Sequence, residues 1–495
     1  MRLRPRAIPG RAALVLLPGL ACAVVGSVLL GRKSLWLDES VSATLAQLGW
    51  RDLARVLVGR ETNMALYHLA LKGWTGAFGV GEVAVRSFSV LCAAVAACAV
   101  TALAGRLLGR AVGLLSGLLF GLDPVVLAFA QTARGYALCL LLVVVAELLL
   151  VDALRRHSRR AWIGYAAVTA CAVATNALAV LLPVANLLAL VALPGSLVRR
   201  RDLAGSAVPP LLLVAPLLLR VHQVNAGGVD WIAGAAGGRL VQRIDRLVPA
   251  PVSLSLLAVA VATVLAVVVR RRRPTTLWSP WSARVLLLSW LVTPPVGVLA
   301  LSLAYRPLLV PRYLVFCLPP LVVLVAAALL RPRHHAAVAA GVTLALLLSL
   351  ALDVGWYRAG PREDWRAAVA EVTARAGASD GILFYPADSR VPFDYYRART
   401  PGAAVLEPVD PERAGGVRGE LAALGPIPIG RSSVAAAARR SSRLWLVVRR
   451  DRAGPSAGEQ EVRSGLTDAG LAALGGRCLR QVCVAQYRRP GGPGP

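Results

Sequence analysis

The chain has 495 residues, 57% hydrophobic and only 16% charged, which is too apolar for an ordinary soluble protein. Its formal net charge of +29 is almost entirely arginine, since Lys33 and Lys72 are the only lysines. No basic stripe interleaved with aromatics marks a soluble segment, so nucleic acid is not an expected partner. The arginines instead form short clusters between apolar runs near the ~20 residues that cross a bilayer, which is how cytoplasmic loops are marked.

The basic N-terminus (Arg2, Arg4, Arg6, Arg11) is placed in the cytoplasm, followed by a retained first helix at 12–31, because no convincing cleavage site precedes Trp36. Residues 32–83 then form an outer loop. Further spans are expected at 84–104, 111–128 and 137–153, then a tight pair at 161–175 and 178–195 turning at Asn176, then 203–219. After a longer outer loop at 220–251, an eighth helix re-enters at Arg270 to Arg273 and a ninth exits near Tyr305. The tenth re-enters at Arg331 and Arg333, and the eleventh covers 336–354. This threading puts every dense arginine cluster between helices on one side. The segment 64–80 is apolar enough to count as a span, but crossing would invert the parity of every later loop. It is short and carries His68 and Lys72, so it reads as an interfacial or re-entrant helix.

Residues 355–495 differ in kind, being charged, punctuated by Pro and Gly, and without a span. A helix is expected at 363–376, strands near 381–385 and 444–449, and a strand pair around Cys478 and Cys483, making a small α/β domain. The expected division is a transmembrane domain at 1–354 and a soluble extracytoplasmic domain at 355–495. Six of the eight cysteines fall in apolar runs and read as small buried hydrophobes. Cys478 and Cys483 lie where oxidation is permitted, so a disulfide and two buried thiols are both open. No Cys/His spacing resembles a zinc site.

The first outer loop opens with Ser34-Leu-Trp-Leu-Asp38-Glu39-Ser40. A carboxylate that is partly desolvated and beside a like charge can titrate in the range of a general base. An ordinary solvated acid pair is the alternative. An amphipathic stretch follows from Val41 to Val58, suited to helices lying on a membrane surface. Two further outer loops each present an arginine and a tyrosine at a helix mouth, Arg134-Gly-Tyr136 and Pro311-Arg312-Tyr313. Arginine on the outer face runs against the positive-inside trend. A bound phosphate explains it through the guanidinium fork, and snorkelling to lipid headgroups is the other explanation.

Taken in order, several segments resemble the GT-C superfamily of polyprenyl-phosphate-sugar-dependent glycosyltransferases, and within it glycosyltransferase family 39, the protein mannosyltransferase-like and aminoarabinose-transferase-like enzymes. They are Trp-Leu-Asp-Glu-Ser (36–40), Asn-Met-Ala-Leu-Tyr-His (63–68), the run 109–124, Gln-Thr-Ala-Arg-Gly-Tyr-Ala-Leu (131–138), Pro-Arg-Tyr-Leu (311–314) and Asp364-Trp365-Arg366. The resemblance implies an α-helical polytopic membrane fold of about eleven transmembrane helices with a small α/β extracytoplasmic C-terminal domain. It implies transfer of a sugar, mannose-like as a first guess, from a polyprenyl-phosphate carrier to an extracytoplasmic protein, lipid or glycan acceptor in a bacterial cell membrane. Asp38 falls on the family's acidic motif as general base, with Glu39 beside it. Arg134, Tyr136, Arg312 and Tyr313 match positions near the donor phosphate, and Asn63 and His68 fall in a substrate loop. Relatives usually have one or two prolines where Met64 and Ala65 stand. No cofactor is expected, although the Asp38/Glu39 pair could hold one divalent cation. A transporter or lipid-linked-sugar flippase is the alternative class. Such a protein should place ionisable residues in mid-helix, where this sequence has few beyond Glu147.

Overall fold

A computed structural model describes residues 9–224 apart from 60 and 195, 276–331 apart from 278, 305–307 and 309, 334–409 apart from 378, 379, 404 and 405, 431–450 apart from 440, and 454–490. The chain forms two compact units. One holds residues 1–30, 49–79 and 83–358, and the other holds 31–48, 80–82 and 359–495.

The first unit is helical. Among the described residues, six helices are long and apolar enough to cross a bilayer: Glu82–Leu108, Tyr136–Arg156, Arg200–Gln223, Pro280–Ser302, Arg312–Leu329 and His335–Arg358. Shorter apolar helices stand at Ala13–Ser27 and Ala177–Ala192. The eighth expected helix, and most of the loop expected at 220–251, lie outside the described residues. The span expected at 111–128 is not one straight helix. It breaks into Arg110–Gly121 and Pro124–Ala130, bent by 57°. The break follows from its own sequence, because the Asp123 carboxylate accepts the amides of Val125 at 2.8 Å and Val126 at 3.3 Å, while Pro124 opens the new helix. The ambiguous segment 64–80 becomes the helix Ala65–Phe78. At 14 residues it is about 21 Å long, short of the ~30 Å hydrocarbon layer.

Packing in this unit relies on small residues, since lipid offers no hydrophobic drive for helices to associate. Gly113 lies so close to the preceding helix that a Cβ there would stand 2.7 Å from the Thr101 carbonyl and 2.8 Å from the Gly105 Cα. One buried polar network ties four helices together. Asn186 Nδ2 donates to Glu147 Oε1 at 2.7 Å and to the Tyr165 hydroxyl at 3.1 Å, and that hydroxyl donates to the Ser206 carbonyl at 2.9 Å. The His335–Arg358 helix leaves Leu344 (67%) and Leu347 (59%) exposed, which suits contact with hydrocarbon.

The second unit contains a five-stranded sheet. Strands β1 (Gly381–Tyr385), β2 (Glu407–Pro408), β3 (Arg443–Arg449), β4 (Ala472–Leu479) and β5 (Val482–Arg488) lie in the order β2-β1-β3-β5-β4. The pairs β1/β2 and β1/β3 are parallel, whereas β5 runs antiparallel to both β3 and β4. Both residue pairings at the β4/β5 turn agree with the strand pair expected around Cys478 and Cys483, which oppose each other in register and are joined as a disulfide. Leu383, Leu444, Leu446, Val448, Val462 and Leu466 form the core beneath the sheet. The expected helix at 363–376 is Trp365–Thr373, begun by Asp364, whose carboxylate accepts the Ala367 amide at 3.2 Å.

Candidate functional site

In the helical unit, four separated stretches of sequence meet at the turn after the helix Arg159–Val173. Asn176 Oδ1 accepts the Leu178 amide at 3.2 Å, which makes the turn. Its Nδ2 donates to the Tyr313 carbonyl at 3.1 Å, fixing the 3₁₀ segment Pro311–Cys317 that carries Arg312. Next along the chain, the Ala177 amide donates to Asn63 Oδ1 at 2.8 Å, and the Leu66 amide donates to the Ala174 carbonyl at 3.2 Å. Gly135 completes the group. A Cβ there would lie 2.8 Å from Met64 Cε, 3.2 Å from Tyr67 Cβ and 3.4 Å from the Thr175 carbonyl, so only glycine lets the Arg134–Tyr136 loop sit this close. That loop is held from its other end by Gln131, whose Nε2 donates to the carbonyls of Gly26 at 3.1 Å and Val28 at 2.7 Å.

Around this turn Arg134 is partly exposed, Tyr136 is buried against Phe129, and the Arg312 guanidinium lies 5.7 Å from the centre of the Tyr313 ring. Asn63, Arg134, Tyr136, Arg312 and Tyr313, each expected from sequence to be functional, are therefore brought together through one turn. His68 is 1% exposed, with its Nε2 3.7 Å from a Glu61 carboxylate oxygen, too far for a hydrogen bond. Burial is the largest influence on His68 and holds its imidazole below the usual range, outweighing the pull of Glu61, so the ring is neutral. Burial also acts to raise Glu61, but the approach of His68 and the charge of Arg134 together leave its carboxyl below the usual range and ionised. Two residues of this group were missed by sequence reasoning. Asn176 was read only as a turn, and Glu61 was not singled out. An amide between two short apolar helices and an acid seven residues before a histidine were the available signals.

The acidic pair belongs to the second unit. Asp38 and Glu39 are not in a loop but in the first turn of the helix Leu37–Gln47. Asp38 is partly exposed, and its carbonyl accepts the Ser42 hydroxyl at 3.0 Å. Glu39 is 1% exposed and turns back so that its Oε2 accepts the Trp36 amide at 3.4 Å, half of a capping box. The two carboxylates thus have different surroundings: Glu39 closes the helix start, while Asp38 stands at the surface. The amphipathic stretch expected at 41–58 is two helices, Leu37–Gln47 and Trp50–Gly59, parted at Leu48-Gly49. Among the described residues, no group of three or more His, Cys, Asp or Glu side chains is gathered as a metal site would be.

This architecture, an apolar helical unit and a small C-terminal sheet, agrees with the one that the resemblance to GT-C glycosyltransferases implied. Within it, residues 65–219 match the family model of dolichyl-phosphate-mannose-protein mannosyltransferases. The fold is similar to ArnT from Cupriavidus metallidurans bound to undecaprenyl phosphate, with TM-score 0.55 and 15% identity over 99% of this chain and 100% of that one. The same enzyme in its apo state gives TM-score 0.57 and 14% identity over 96% and 98%. An oligosaccharyltransferase of Archaeoglobus fulgidus, in complex with Zn and sulfate, gives TM-score 0.53 and 13% identity over 88% of this chain and 68% of that one. No curated protein matches the chain in sequence.

Proposed function

We propose that this chain is a multi-pass membrane glycosyltransferase that moves a mannose-like sugar from a polyprenyl-phosphate carrier to an extracytoplasmic acceptor. The observation that supports this most is the convergence of Arg134 and Arg312 on the Asn176 turn of a GT-C helical unit. Two guanidiniums at helix mouths suit the phosphate of a lipid carrier, which accepts paired N–H bonds. Tyr136 and Tyr313 flank them, and Asn63 fixes the neighbouring strand of chain. Neutral His68 belongs to this substrate loop as a packing and orienting group, with Glu61 as its partner. Bound undecaprenyl phosphate in the similar ArnT structure agrees with a carrier of this kind.

In the reaction, an acceptor hydroxyl attacks the anomeric carbon and the bond from that carbon to the phosphate oxygen breaks. Polyprenyl phosphate leaves, and the acceptor's proton goes to Asp38. The leaving group is already stable as an anion, so base assistance to the nucleophile is the greater need. Glu39 shapes the turn rather than taking the proton. The arginine clusters favour a cytoplasmic N-terminus and an extracytoplasmic C-terminal domain in a bacterial cell membrane.

The test uses membranes carrying the full chain, supplied with radiolabelled undecaprenyl phosphate mannose, with label counted in lipid, glycan and protein fractions. Asp38→Asn should lower transfer about 10²–10⁴-fold with little change in donor KM, while Glu39→Gln should be milder. Turnover above roughly a tenth of native in Asp38→Asn rules out proton transfer to this residue. No transfer from this donor by the native chain overturns the mannose assignment.

A further inference from the structure

Within the second unit, the stretch leading to Asp38 is held at several residues by groups from far along the sequence. Arg366 donates to the Gly31 carbonyl at 3.1 Å, and the Ser34 hydroxyl donates to the Glu363 carbonyl at 2.5 Å. The Leu35 amide donates to the Tyr396 hydroxyl at 2.6 Å, and that hydroxyl in turn donates to Glu82. The Arg362 guanidinium lies 4.5 Å from the centre of the Trp36 ring. Last comes Leu37, whose amide donates to Glu363 Oε2 at 2.8 Å across 326 residues of sequence. The next residue is Asp38.

These contacts fall where a helix most needs help. The first amides of a helix have no partner within it, and Leu37 is the first residue of the helix that bears Asp38. The usual remedy is a capping side chain at the residue before, but Trp36 has no side-chain oxygen to offer. Glu363 supplies that acceptor from outside, while Glu39 satisfies the Trp36 amide. Glu363 is 1% exposed and its Oε2 also accepts Trp365 Nε1 at 2.7 Å, so the carboxylate itself is fixed by the buried indole of the Asp364-Trp365-Arg366 element. Burial pushes its carboxyl above the usual range, opposed by Arg449 and by the two N–H donors.

We propose that Glu363 and Tyr396 are positioning residues for the transferase reaction, fixing the backbone at Leu35 and Leu37 so that the Asp38 carboxylate meets the acceptor in a productive direction. The C-terminal domain is then a working part of the enzyme, acting through Asp38 without touching substrate. This rests on the reading of Asp38 as base. Loss of such support displaces a reacting group by about an ångström, a change that can cost on the order of 10²-fold in rate.

The experiment compares Glu363→Gln, Glu363→Ala and Tyr396→Phe in the full-length protein, using undecaprenyl phosphate mannose as donor and thermal unfolding as the check on folding. The amide oxygen of Glu363→Gln can take the place of Oε2 and accept both N–H groups, so its kcat should stay within about threefold of native. Glu363→Ala should lower kcat about 10²-fold and Tyr396→Phe about tenfold, with donor KM unchanged in both. A merely structural role would lower the amount of folded enzyme and leave kcat per folded molecule alone. The proposal fails if Glu363→Ala folds and keeps native kcat, or if Glu363→Gln is as slow as Glu363→Ala. Should Glu363→Ala not fold, Tyr396→Phe decides by itself, and native kcat there overturns the proposal. An inactive Asp38→Asn beside a native-like Glu363→Ala sinks only this inference, whereas an active Asp38→Asn sinks the base assignment first.

Discussion

In the helical unit, the polar side chains that shape the candidate donor site are tied to backbone: Gln131 to Gly26 and Val28, Asn63 to Ala177, Asn176 to Tyr313. Away from Asp38, many polar side chains of the sheet unit are instead carboxylates facing arginines. Glu459 takes Arg450 at 2.6 Å and Arg463 at 2.8 Å, Asp380 takes Arg443 at 3.4 Å, and Glu82 takes Arg366 at 2.5 Å. The difference follows from the surroundings. An ion pair within apolar helices carries a desolvation cost that an amide avoids, whereas a domain without spans can neutralise its many arginines with carboxylates at little cost. Arg134 and Arg312, which lie in the helical unit outside its arginine clusters, therefore call for a functional explanation, and most arginines of the sheet unit do not.

The largest effect expected from this contrast is at Gly113. A Gly113→Val change drives side-chain atoms into the backbone of Thr101 and Gly105, so the two helices must part, at a cost of about 3 kcal/mol. Thermal unfolding in detergent should show a much lowered midpoint, and an unchanged one would mean that close helix approach is not what holds this unit. In the sheet unit the matching change is Glu459→Ala, which strips a buried carboxylate from two arginines. It should cost about 2 kcal/mol, and Glu459→Gln less, by the same measurement.

A smaller effect separates phosphate from headgroup as the reason for Arg134 and Arg312. Arg134→Lys and Arg312→Lys keep charge but lose the planar fork, so donor KM should rise about tenfold with expression unchanged. Unaltered donor KM in both returns these residues to lipid contact. The smallest effect concerns His68. Because burial holds its folded-state pKa below that of the unfolded chain, near 6.5, the unfolded state takes the proton first and stability falls as pH drops below that value. The loss is at most about 1.4 kcal/mol per pH unit. Glu61 is lowered too, but its contribution is lost only under more acid conditions, below its ordinary value of 4.5. His68→Gln should therefore narrow the gap between melting midpoints at pH 7.5 and 5.5. An unchanged gap would show that His68 is not the group taking up the proton.

Much of the helical unit was legible because a bilayer imposes a single rule, a run of apolar residues of fixed length, and charge marks where each run stops. Strands 381–385 and the pair around Cys478 and Cys483 were legible for a similar reason, since apolar runs between turn residues report local structure. The break at Asp123-Pro124 was written in the sequence too, but hydropathy averaged over a window passes over a cap and a proline. The candidate residues could be named one by one from their types and from the resemblance. What could not be read was their mutual arrangement.

The sequence by itself determined the membrane class, the C-terminal α/β domain and the identities of Asp38, Arg134 and Arg312 as residues with chemistry to explain. Only the tertiary structure decided that Asn176 gathers the arginine loops, and that Glu363 caps a helix begun 326 residues earlier. The physical reason is that composition and periodicity act within a few turns of chain, while a hydrogen bond is satisfied by whichever group the fold brings within about 3 Å, however distant in sequence.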